Sequence, residues 1–201
     1  MNRLFAIALI SFAAGCGSSG GPALFGGFSP AGGSALIFAP AVCDISFVGS
    51  SAVAGIALDF TSYQESCDVI DQTQLCGNKA SSTRVLVVVL AGEVGAAEID
   101  PAGPGTYSYL ADPPSAAFTA AMAEAVQADE ACDPLPGTSA LDMVSGSVEI
   151  ASMSGTAVSG STKIHFENGE SFEHSFDLPI CEAEIDLCSR FVPCTNHVCV
   201  P

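Results

Sequence analysis

A chain of 201 residues with 49% hydrophobic and 13% charged residues carries enough apolar material for one folded domain, which excludes disorder. Acids outnumber bases 22 to 5, a formal charge of −17, so the surface repels nucleic acid and anionic membrane faces and favours cations or basic partners. Twenty Gly, 12 Pro and little helical periodicity point to an all-β protein with many turns.

Residues 1–15 read as an export signal. Arg3 gives the positive start, and Leu4 to Phe12 is an apolar run too short to span a bilayer. Ala13-Ala14-Gly15-Cys16 resembles a bacterial lipobox, with Ala where Leu is usual. The resemblance implies cleavage before Cys16, diacylation of its sulfur and acylation of its new amine by a palmitate-type chain. Several chains together anchor stably where one binds reversibly. Cleavage removes Arg3, so the mature charge is 4 − 22 = −18.

Residues 16–34 form a lipidated Gly/Ser/Pro-rich tether. Its Leu24, Phe25 and Phe28 allow an early edge strand. The tether matches G-x-S-x-G and G-x-G-x-x-G literally, but neither lies between a strand and a helix, so neither carries chemistry. Ala35 to Phe47 reads as extended, with Pro40 at a bend or edge. Val53 to Phe60 is a strand. Residues 64–82 form a polar connection with one helical turn around Val69–Gln74. Arg84 to Ala91, RVLVVVLA, predicts a strand covered on both faces. Ala96 to Ile99 begins another strand. Thr106 to Leu110 follows a Pro/Gly turn and places Tyr107 and Tyr109 on one face. Ser115 to Ala131 is Ala-rich enough for a helix, yet Ala116, Phe118, Ala120 and Met122 alternate; we read Ala116–Ala123 as strand.

Gly146 to Cys181 is the clearest fold signal. Val148–Met153, Thr156–Phe166 (interrupted at Ser159-Gly160) and Ser171–Leu178 read as three antiparallel strands. A two-residue Asn168-Gly169 loop would put the apolar rows on opposite faces. A three-residue loop sets Ile164 opposite Phe172 and Phe166 opposite Glu170, which unites the apolar residues on one face. The expectation is a type I turn with Gly169 left-handed in a G1 bulge. That register separates His165, exposed, from His174, partly buried, and argues against a metal pair.

Nine cysteines are odd for an exported protein; lipidation of Cys16 leaves eight, which allows four disulfides. They are Cys43, Cys67, Cys76, Cys132, Cys181, Cys188, Cys194 and Cys199. Residues 182–201 form a cysteine-rich tail docked by disulfides onto a β domain at 35–181. Its C-x5-C-x2-H-x-C spacing lacks the paired C-x-x-C of zinc sites. By position, Cys132 and Cys181 bracket the opening of the meander and are the favoured pair; Cys67–Cys76 is a second. The fold class is an antiparallel β-sandwich with at most one short helix, a partly open barrel being the alternative.

The stretches SALIFAPAVCDISFVGSS, SYQESC…LCGNKASST, GPGTYSY and SGSVEIASMSGTAVSGSTKIHFENGESFEHSFDLPIC together resemble a family of cysteine-containing lipoproteins from myxobacteria and related bacteria. The resemblance covers most of the mature chain and rests on strands, turns and cysteines. It implies fold and location, with part of 22–34 belonging to the fold, and no active site.

The functional expectation is a lipid-anchored envelope protein, most simply of the outer membrane, that binds a protein or ligand or serves a structural role, without enzymatic activity or cofactor. A hydrolase is the alternative, though the histidines are scattered and no nucleophile–base–oxyanion set is visible. Calcium binding at Asp129-Glu130…Asp133 or Glu167…Glu170 is a further reading, without EF-hand spacing.

Overall fold

A computed structural model describes residues 28–45, 49–64, 77, 79–110, 112, 114–135, 141–182 and 187–188. Eight strands follow in chain order: β1 Gly32–Ile45, β2 Gly49–Thr61, β3 Thr83–Val94, β4 Gly105–Ser108, β5 Ala117–Gln127, β6 Leu141–Met153, β7 Ala157–Phe166 and β8 Ser171–Cys181. Among the described residues there is no α-helix. The Val69–Gln74 turn lies outside them.

The sheet order β4-β6-β5-β3-β2-β1-β8-β7, with β7 pairing back onto β6, closes a seven-stranded barrel and leaves β4 outside the ring. The expected sandwich is therefore corrected to a barrel, the architecture read from the sequence as the alternative, here closed. A sandwich keeps two sheets with free edges; here the edges meet along two short seams. At one, β5 and β6 share Glu124↔Asp142 and Ala125↔Leu141. At the other, β1 and β8 share the parallel pairs Ala35↔Ile180 and Leu36↔Cys181. Beyond the first seam, β4 takes over the edge of β6 along Ser147–Ile150 and reaches β5 through a Tyr109↔Ala121 bridge.

Side-chain alternation makes two cores. Inside the barrel lie Ala54, Ile56, Leu58 and Phe60 of β2, Val85, Val87 and Val89 of β3, and Ala121, Ala123 and Ala125 of β5. They meet Val148, Ile150, Ile164, Phe166, Phe172 and Phe176 from β6, β7 and β8. Seven strands enclose little more than these side chains. Outside, Leu36, Phe38, Val53, Leu86, Val88 and Leu90 form a second core with Leu187. So β3 is covered on both faces, as its unbroken apolar run predicts. The Ala-rich segment is strand β5: its alanines fill the narrow inner face, while Phe118 and Ala120 serve the outer core.

The β7–β8 register is as expected. Ile164 opposes Phe172, Gly169 N–H donates to the Phe166 carbonyl at 2.9 Å, and Phe166 N–H donates to the Glu170 carbonyl at 2.9 Å. Gly169 has φ of +86°, which closes the bulged turn at no Cβ penalty. Two expectations are corrected. Strand β7 runs unbroken through Ser159-Gly160, because glycine there admits a close neighbour: a Cβ at Gly160 would lie 1.9 Å from the Glu149 carbonyl oxygen. Ala96–Ile99 is irregular, and Ile99 turns in to cap the inner core. The fold also starts earlier than residue 35: Ser34 is buried, and Phe28 packs its ring 5.9 Å from Phe172.

Candidate functional site

Pro40 lies beside an open recess. Lacking an N–H, it cannot complete the β1–β2 ladder, and the register slips between Phe38 and Ala41. The displaced turn of chain opens a groove of about 270 Å³ at one mouth of the barrel. Pro40, Ala41 and Val42 of β1, Ala52 of β2 and Ala97, Glu98 and Ile99 of the β3–β4 connection line it. Val42 is half exposed there at 51%, a large hydrophobic group held toward solvent. Glu98 is the one ionisable group among the lining residues. The groove's surface is mixed polar and apolar, with Glu98 as its one charged group. Acyl transfer or hydrolysis would need a nucleophile, a base and an oxyanion donor in mutual reach, and this lining offers a carboxylate by itself.

The two histidines fall on opposite faces, as the register requires. His165 lies on the outer face, half buried where exposure was expected, and opposes Ser171. His174 points inward between Phe172 and Phe176. Its ring meets Phe60 edge-on at 5.7 Å and stacks near Phe172 at 5.8 Å. Burial among these rings disfavours its charged form and holds its pKa below the ordinary histidine value. Opposite it, Thr162 is buried, and its Oγ1 has no hydrogen-bond partner among the described residues. The depressed pKa has a definite sign: neutral His174 contributes stability above about pH 6.5, and that stability is lost as pH falls. His174→Phe keeps the ring contacts and removes the titration. Thermal melts between pH 7 and 5 should therefore flatten in the variant, and an unchanged acid slope would refute this role.

The acidic loops cap themselves. Asp129 Oδ1 accepts the backbone N–H groups of Ala131 at 2.8 Å and Asp133 at 3.0 Å. Asn168 Oδ1 accepts the Glu170 N–H at 3.0 Å, and its amide donates to Glu170 Oε2 at 3.2 Å. Asp142, beside Glu124 across the seam and Glu167 in the turn, has its pKa raised, first by burial and then by those two carboxylates. Among the described residues no group of three or more His, Cys, Asp or Glu is gathered closely enough to hold a metal ion.

One disulfide joins two described cysteines, Cys43–Cys188. Cys132 and Cys181 are each disulfide-bonded, but the expected Cys132–Cys181 bond is not formed. Cys181 packs in the outer core beside Leu36, whereas Cys132 lies in the β5–β6 connection past the far end of β5. Cys16, Cys67, Cys76, Cys194 and Cys199 lie outside the described residues.

Sequence reasoning missed the groove and a buried ion pair. Its signals were Pro40 within an apolar run and the charged residues Asp59 and Arg84 inside otherwise apolar strands. Arg84 Nε donates to Asp59 Oδ1 at 2.8 Å and to Oδ2 at 3.0 Å, beneath the Gly77 carbonyl that accepts from Nη1 at 2.9 Å. The pair is buried on the outer face of the barrel, away from any opening among the described residues, and serves to pin the segment before β3.

Comparison with protein-family models, with curated proteins and with solved structures finds no match.

Proposed function

We propose that the chain is a lipid-anchored protein of the bacterial cell envelope, held on the outer membrane through Cys16, and that it is a binding or structural module. The oxidised cysteines carry this reading. A Cys43–Cys188 bond, with Cys132 and Cys181 also bonded, fits an oxidising compartment. Lipidation of Cys16 then accounts for the odd member of nine. The outward rows of β7 and β8, with Ser161, Lys163, Glu173, Ser175 and Asp177, are polar, as suits strands that face water. An interior filled by its own side chains leaves recognition to the mouths and loops, where the Pro40–Ile99 groove lies.

Cys16→Ser tests the anchor. The variant should move from the membrane to the soluble fraction and fail to incorporate labelled palmitate. Retention in the membrane with undiminished label would overturn the proposal.

A further inference from the structure

The second seam of the barrel is closed by a pairing that is unusually short for the length of its strands. Ala35 pairs with Ile180 and Leu36 with Cys181, in parallel, and β8 ends there. Among the described residues, strand β1 continues from Ile37 to Ile45 with β2 on one side only. Both register pairs carry an offset of 145 residues, and the Cys43–Cys188 disulfide has that same separation of 145. The bond meets β1 at Cys43, beyond the last seam pair at Leu36 and beyond the irregularity between Phe38 and Ala41. Near it, Leu187 is buried in the outer core above Gly55, and the Cys188 sulfur approaches the Val42 carbonyl oxygen at 3.6 Å. These contacts join Leu187 to β2 and Cys188 to β1.

We infer that Cys43–Cys188 is a redox-sensitive clasp on the closing seam: its reduction releases the β8 end from Ala35 and Leu36 and opens the ring there, lengthening the edge that β1 presents. The two sulfurs differ in access, since Cys43 is buried and Cys188 is half buried. An incoming dithiol therefore attacks at Cys188. Its thiolate bonds to the Cys188 sulfur, and the Cys43 sulfur leaves as a thiolate and takes up a proton. The second thiol of the dithiol then displaces Cys188 from the mixed disulfide. One protein disulfide becomes two thiols, and one dithiol becomes a disulfide. The exposed edge would present unpaired backbone groups next to the Pro40 irregularity, the kind of surface to which another extended chain can add.

The test uses the full chain under native conditions, titrated with dithiothreitol, with each cysteine assigned by differential alkylation and amide exchange followed in parallel. Cys43 and Cys188 should be labelled before Cys132 and Cys181. Amides of Leu36–Ile45 and Ile180–Cys181 should then exchange at least tenfold faster, while those of β3 and β5 stay within twofold. Labelling of Cys43 and Cys188 only together with all others, or an even rise across every strand, would overturn the clasp. The Cys43→Ser/Cys188→Ser chain should show the same local pattern without reductant. Wild-type exchange at the seam in that variant would equally overturn it.

Discussion

Asp59→Ala should lower stability by about 3–5 kcal/mol, because it removes the carboxylate that pairs with the buried Arg84 guanidinium. Both side chains are nearly inaccessible, and the carboxylate accepts the fork of Nε and Nη2 from Arg84. Against a total of about 5–15 kcal/mol for a typical domain, that is a large share. The pair as such is not required for stability. The joint change Asp59→Leu/Arg84→Met removes both charges and most of the burial cost with them, so it should recover most of the loss. Urea denaturation followed by far-UV circular dichroism suits a chain without Trp. A loss below about 1 kcal/mol for Asp59→Ala would show that water reaches the guanidinium and that the pair is not buried in solution.

Phe60→Ala should cost a similar amount, about 3–5 kcal/mol, for a different reason. The Phe60 ring is fully buried at the centre of an aromatic cluster, with centroids 5.3 Å from Phe172, 5.6 Å from Phe176 and 5.7 Å from His174. These edge-to-face contacts join β2 to β8, which lie on either side of β1. Truncation leaves a void that the barrel cannot collapse to fill, since its strands are tied on both sides. Phe60→Leu retains most of the volume and should lose less. Thermal melts should fall by roughly 6–20 °C for the alanine variant, from the usual 2–4 °C per kcal/mol at this chain length. A shift of a degree or two would place Phe60 in a loosely packed site.

The strands β2, β3, β7 and β8 were legible from local residue types, and the same kind of reading yields the anchor proposed at Cys16. The β7–β8 turn could be fixed to the residue because a slip by one would have turned Phe172, Phe176 and Leu178 to water. The pairing of the cysteines was not legible in the same way. Position along the chain suggested Cys132 with Cys181, but disulfides follow proximity in space, and a two-pair parallel seam brings Cys188 beside Cys43. The groove was equally hidden. Pro40 marked an irregularity, yet what it opens depends on Ala97, Glu98 and Ile99 arriving from the β3–β4 connection.

By itself, the sequence determined that the protein is all β, which residues of its clearest hairpin share a face, and that His165 and His174 are kept apart. These are consequences of a side-chain period of two and of turn chemistry, both local. The tertiary structure alone decided that the sheet closes into a barrel, with a second core outside it and a buried ion pair in that core. Closure depends on which edges meet after the chain has crossed the whole molecule. Two register pairs at Ala35–Leu36 and Ile180–Cys181 settle it, and no local pattern in either segment encodes its partner.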